Sequence, residues 1–184
     1  AGMRSIPKEI ARHAASLAKM TSSICCKLDH RVCDQQIQMA HELVRVIGVP
    51  GKAILIFVPG LATIEKMCEV LEEGKGAGRF AIVVIHSDVP FEEQLAAFEE
   101  TAKKEKCKVI LATNAAESSI TLPNVDDVIC LGLAKRMEYS AQRRSSILMK
   151  AWISKASAAQ RAGRTARVRP GTVWRLYSRN LFDG

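Results

Sequence analysis

Two hydrophobic periodicities divide the chain. Up to Pro50 apolar residues recur at helical spacing: Ile10, Ala14, Leu17 and Ala18 form one stripe behind a helix start at Ser5 and Pro7, and Ile37, Ala40, Val44 and Ile47 form another. Asp34 is placed to cap that second helix, and Gly48-Val49-Pro50-Gly51 ends it. From Lys52 the pattern changes to short, β-branched runs at 53–58, 80–85, 108–112, 127–131 and 172–177, separated by helical segments at 62–73, 91–103 and 157–164. Runs that are apolar almost throughout belong to strands covered on both faces, so the pattern predicts a doubly wound α/β domain with a mainly parallel sheet flanked by helices. The stretch 136–154 breaks the alternation. Its two extended runs, 137–139 and 147–152, flank a polar connection and predict a projecting β-hairpin. The chain thus divides into residues 1–51, an N-terminal helical extension or interdomain linker, and residues 52–184, the α/β domain.

Composition narrows this picture in three ways. With 184 residues, 48% of them hydrophobic, the chain is long enough for one domain with a sizeable core. A formal charge of +8 points to a polyanionic partner, while only 5% aromatic residues argue against a single-strand binder built on stacking platforms. Backbone contact with a nucleic acid is the mode this combination suits. No apolar run approaches the roughly 20 residues that a membrane-spanning helix needs. A soluble protein in nucleus or cytoplasm, without a membrane partner, is therefore expected. The six cysteines form no C-x-x-C pair and read as reduced thiols. Cys25, Cys26, His30, Cys33 and His41 lie close in sequence, but adjacent cysteines seldom aim both sulfurs at one tetrahedral ion, so no metal site is expected.

Ligands of open α/β sheets bind beyond the C-terminal ends of the strands. Read that way, five segments follow apolar runs: Pro59-Gly60, His86-Ser87-Asp88, Thr113-Asn114, Gly132 with Lys135, and the helix ending in Gln160 to Arg167. The last carries Arg161, Arg164 and Arg167 at every third position. That spacing puts Arg164 and Arg167 on one face of a helix or a tight helical exit, where two guanidiniums can clamp the charge developing on a transferring phosphoryl group. The hydroxyl-rich stretch from Ala112 to Thr121 can hold a phosphate or a ribose hydroxyl, or be an ordinary helix cap. Equally informative is what the sequence lacks. It has neither a G-x-x-x-x-G-K-[ST] phosphate loop nor an Asp-Glu pair after a strand, so the chain alone is not expected to hydrolyse ATP.

Taken in order, these segments resemble the second RecA-like motor domain of DEAH-box (DEAH/RHA, superfamily 2) ATP-dependent RNA helicases. Ile56 to Gly60 is similar to that family's motif IV, Ile85 to Ser87 with Gln94 to motif IVa, Ala112 to Thr121 to motif V, and Gln160 to Arg167 to motif VI. Two departures stand out: Pro123-Asn124 where the family commonly has Asp, and Ala166 in place of the second glycine of motif VI. The resemblance implies a RecA-like P-loop NTPase fold. It implies that Gln160, Arg164 and Arg167 face the ATP phosphates, that Ser119 and Thr121 lie near the nucleotide, and that Gly60, Ser87, Thr113 and Asn114 touch the RNA backbone. ATP and Mg²⁺ would be held mainly by a first RecA-like domain. That domain, C-terminal domains of the same protein and protein cofactors are the partners implied beside RNA. The hairpin would serve as a wedge or a docking surface. A non-catalytic RNA-binding scaffold and a DNA-directed superfamily 2 helicase are the competing readings, and the retained Gln160, Arg164 and Arg167 weigh against the scaffold.

Overall fold

The computed structural model describes residues 8, 11–12, 14–15, 30–74, 76, 78–95, 105–117, 122, 124–140, 144–167 and 170–178. Their elements in chain order are α1 (His30–Ile47), β1 (Ala53–Phe57), α2 (Leu61–Glu73), β2 (Phe80–Ile85), α3 (Phe91–Gln94), β3 (Cys107–Ala112), a 3₁₀ turn (Asn114–Glu117), β4 (Asp127–Cys130), β5 (Leu133–Ser140), β6 (Ser145–Trp152), α4 (Lys155–Ala162) and β7 (Thr172–Arg175). Five strands form one sheet in the order β2-β3-β1-β4-β7, and every pairing is parallel. The three central strands β1, β3 and β4 are buried at every residue, whereas the edge strands β2 and β7 are partly exposed. This is the unbroken apolar signature of strands covered on both sides, and the expected RecA-like α/β architecture is what the chain adopts.

Side chains alternate between two cores because successive residues of a strand point to opposite faces. Ile54, Ile56, Val109, Leu111 and Ile129 pack against α1 and α2. Leu55, Phe57, Ile110, Ala112, Val128 and Cys130 pack on the other face with Ala116, Leu122 and Val125.

Helix α1 belongs to the first of these cores: Ile37, Ala40, Leu43, Val44 and Ile47 are buried there. It begins at His30, so Asp34 lies inside it rather than capping it, and the carboxylate instead meets Lys66 of α2 at 3.2 Å. Gln36 fastens the helix to the sheet. Its buried side-chain amide donates to the carbonyls of Leu131 (2.6 Å) and Leu176 (2.7 Å), just beyond β4 and β7. His41, on the same helix, is buried, and burial lowers its pKa from the ordinary 6.5; Glu42, with Oε1 3.9 Å away, opposes this and Arg45 adds to it. A histidine kept neutral in the fold takes up a proton more readily once unfolded, so stability is present above the unfolded value and falls as pH drops through it. The denaturant midpoint is expected to decline from pH 7.5 toward pH 5.5, and His41→Gln should flatten that slope.

The hairpin stands apart from the main sheet, with β5 and β6 paired antiparallel from Leu133 with Trp152 to Ser140 with Ser145. Its strands start nearer the sheet than the sequence suggested, because Leu133 and Ala134 are buried at its root. Gly132 makes the turn from β4 possible. Its φ is +76°, and the ring of Tyr177 occupies the place where a Cβ would stand. Farther out Met137, Tyr139, Leu148 and Met149 are exposed. Among the described residues no helix is long and apolar enough to cross a membrane, and no group of three or more His, Cys, Asp or Glu is placed to hold a metal ion. Cys25 and Cys26 lie outside the described residues, while Cys33, Cys68, Cys107 and Cys130 are free thiols.

Candidate functional site

The parallel order places the turns after β2, β3 and β1 side by side at one end of the sheet. After β1 the chain passes through buried Gly60, whose extended backbone opens α2 without any side-chain cap. Lys135 of β5 lies across it: a Cβ at Gly60 would come within 2.7 Å of the lysine Cε and 3.1 Å of Nζ. After β2, the Ser87 hydroxyl is exposed and donates to Asp88 Oδ1 at 3.1 Å. His86 is a structural residue of this turn, its Nδ1 accepting from the Asp88 backbone N–H at 3.2 Å. Gln94 closes the loop by donating to the carbonyls of His86 (3.2 Å) and Val89 (2.6 Å). After β3, Thr113 is buried and its carbonyl accepts from the Ala116 N–H at 3.1 Å, so it anchors the 3₁₀ turn, and Asn114 is the side chain this turn exposes.

The arginine segment does not share that edge. Because β4 and β7 are parallel, the chain must return from the end of one to the start of the other, and α4 makes the return across the face of the sheet. Ser154 caps its start, accepting from the Ser157 N–H at 3.1 Å, which sets the helix two residues earlier than the apolar pattern implied. At its exit the Thr165 hydroxyl lies 2.8 Å from the Val125 carbonyl and 2.9 Å from that of Asp126, both just ahead of β4. The segment Gln160 to Arg167 therefore runs along the sheet face toward the opposite end.

The three arginines have different fates. Arg161 is wholly buried: its Nε and Nη2 lie 2.7 Å from Glu117 Oε1, Nη1 donates to the Leu133 carbonyl at 3.2 Å, and the guanidinium sits 4.8 Å from the Phe57 ring centroid. Arg164 leaves the helix partly buried, and its Nη2 donates to the Glu117 carbonyl. Burial lowers its pKa, and the neighbouring cation Arg167 lowers it further. Two cations this close to one another favour an anion between them. Arg167 is exposed, with Nε donating to the Gly163 carbonyl at 3.2 Å, and Gln160 is exposed on α4. Ser119 and Thr121, expected beside the nucleotide, lie outside the described residues.

Glu117 and Arg161 are the pair that sequence reasoning passed over. A lone carboxylate in a stretch of small and hydroxylic residues was the available signal, since burying it demands a cation. Between Arg164 and Arg167, Ala166 has φ +61°. The missing motif VI glycine thus falls on a left-handed backbone position, which costs a side-chain-bearing residue about 1 kcal/mol. Ala166→Gly is expected to raise the unfolding free energy by about that amount in urea titration.

Comparison with known proteins bears on the family and the fold. The helicase conserved C-terminal domain profile matches residues 35–169, and so takes in most of α1. The mouse ATP-dependent RNA helicase DHX29 is 40% identical over 134 residues, covering 72% of this chain and 10% of that protein. The Caenorhabditis elegans probable ATP-dependent RNA helicase DHX35 homolog is 41% identical over 138 residues, covering 73% and 19%. The crystal structure of the E. coli DExH-box NTPase HrpB superposes with a TM-score of 0.73 at 25% identity, over 85% of this chain and 19% of that one. This chain therefore spans at most about a fifth of each of these relatives, which are named as RNA helicases or a DExH-box NTPase, and by its profile match it belongs to the helicase conserved C-terminal domain family.

Proposed function

We propose that this chain is the RNA-gripping and phosphate-sensing half of an ATP-dependent RNA helicase. The observation that carries the reading is the pair Arg164 and Arg167 at the exit of α4, with Arg164 bonded to the same 3₁₀ turn that presents Asn114 at the strand ends. Two adjacent guanidiniums, one already displaced from its ordinary pKa by burial and by the other, suit the γ-phosphate of ATP. Gln160 lies on the same helix, and the family resemblance assigns Ser119 and Thr121 to the nucleotide side as well. Mg²⁺ would be held mainly by a first RecA-like domain, where it would screen the phosphate charge.

On the other side, Gly60, Ser87, Thr113 and Asn114 follow three neighbouring strands and form a row at one end of the sheet. The Ser87 hydroxyl and the Asn114 amide, the exposed side chains of that row, suit a sugar–phosphate chain, and Lys135 adds a cation to it. Such contacts grip without reading sequence. ATP bound against another domain would draw Arg164 and Arg167 in, and its hydrolysis would release them, so that the row advances along the strand. The exposed apolar residues of the hairpin suit a wedge or a docking surface for a further domain of the same protein.

ATP turnover by the full-length protein, measured with RNA and with DNA of one sequence, tests this reading. RNA should stimulate turnover and DNA should not; equal stimulation by DNA would move the protein to the DNA-directed class, and turnover by this chain alone would refute the division of labour between two domains.

A further inference from the structure

Strand β2 is an open edge of the sheet. Among the described residues it pairs only with β3, in unbroken register from Phe80 with Cys107 to Ile85 with Ala112. The carbonyls of Arg79 and Ile85 accept from the N–H groups of Cys107 (3.0 Å) and Thr113 (3.3 Å), so the odd-numbered residues turn their backbone groups toward β3. Phe80, Ile82 and Val84 therefore turn theirs outward. Edge strands are ordinarily blunted by charge, proline or a bulge, because an open ladder of N–H and C=O groups recruits another strand. The six residues of β2, Phe-Ala-Ile-Val-Val-Ile, carry none of these devices.

Beside that edge lies an apolar groove of about 480 Å³, walled by Leu61, Ile64 and Cys68 of α2 and by Ile82 and Val84 of β2, with Val89 beyond the strand. That is within the size range of ligand pockets. Ile82 and Val84 serve it twice, since their side chains lie on the α2 face of the sheet while their N–H and C=O groups point outward. A strand laid against β2 places the side chains opposite Ile82 and Val84 into the groove. Carboxylates set the rim. Burial pushes the Cys68 thiol up, and Glu72, Glu65 and Glu69 push it further, all three exposed along the side of α2 that carries it. Lys66, the only basic residue of α2, turns away to Asp34 at 3.2 Å. In a chain whose formal charge is +8, this rim repels nucleic acid and attracts a cationic segment. We propose that the groove between α2 and β2 is a docking site for a separate protein. That partner adds an extended segment to β2, apolar at alternate positions and ending in lysine or arginine. The proposal rests on neither the arginines of α4 nor the row at the strand ends.

A fluorescein-labelled peptide, Lys-Ser-Val-Thr-Val-Ser-Lys, presents two valines to the groove with a lysine beyond each. Its binding to the full-length protein is followed by fluorescence anisotropy and by the rate of Cys68 alkylation, read by mass spectrometry of the digest. Cys68 reports the site because it lines the groove and is half-buried, whereas Cys33, Cys107 and Cys130 are buried. At about ten times its Kd the peptide is expected to slow Cys68 alkylation about 10-fold, by mass action. Glu65→Lys with Glu69→Lys and Glu72→Lys should weaken binding about 10-fold, the worth of a few exposed ion pairs, and leave RNA-stimulated ATP turnover at the wild-type rate. N-methylation of the three central peptide residues removes their donors whichever way the strands run, and should abolish binding. A methylated peptide that binds as well as its parent overturns the proposal, and this arm decides alone if the triple variant does not fold. Failure of the parent peptide to bind while Cys68 alkylates freely overturns it too. So does Cys68 already shielded without peptide, which gives the groove to another segment of the same protein, and so does equal shielding by an RNA oligonucleotide.

Discussion

Arg167→Ala in the full-length protein is expected to lower RNA-stimulated ATP turnover on the order of 10³-fold, the lower range for loss of an arginine that neutralises a transferring phosphoryl group. Arg167 is the cleaner of the two positions to remove. It is exposed, and its one described bond is to the Gly163 carbonyl one helical turn back, so its loss leaves both cores and the Glu117 network intact. The variant should therefore keep the wild-type unfolding midpoint and RNA affinity. The deficit should fall on kcat rather than on KM, because the charge it meets grows toward the transition state. Arg164→Ala should lower kcat as well, with a second effect on the turn that its Nη2 braces. Steady-state kinetics with saturating RNA checks both. Undiminished turnover in Arg167→Ala would remove the finger assignment.

How far the sequence revealed these parts depends on how local their causes are. The five parallel strands were legible because β1, β3 and β4 are buried on both faces and so carry unbroken apolar runs, which few other arrangements require. The hairpin was legible from its polar connection, though its root was not, since Leu133 and Ala134 are buried by tertiary neighbours. Asp34 misled because a helix start and a surface ion pair use the same residue type, and only the position of Lys66 on the next helix decides between them. The site divides in the same way. Gly60, Ser87, Thr113 and Asn114 could be placed together at one end of the sheet from the strand pattern alone. The arginines could not be sorted, because a repeat of three does not say which side chain turns inward. That choice is made by Glu117, 44 residues away in sequence, and by the Phe57 ring.

The largest effect on stability is expected at that pair. Glu117→Ala should cost about 3–5 kcal/mol, the range for stripping one partner from a buried ion pair. Arg161 has no exposed surface, so its guanidinium cannot turn to water when the carboxylate is gone. What remains to it is the Leu133 carbonyl at 3.2 Å, the Cys130 sulfur at 3.5 Å and the Phe57 ring, none of which carries a negative charge equal to the one removed. The cost must then appear as unfolding of α4 from the sheet or of the domain as a whole. Removing both charges together avoids it, so Glu117→Leu with Arg161→Met should be far more stable than Glu117→Ala alone, and the coupling energy of the double-mutant cycle should be large. Urea titration of the four proteins checks this directly. A loss below about 1 kcal/mol in Glu117→Ala would place the pair among exposed ion pairs of little worth and would contradict the burial of Arg161.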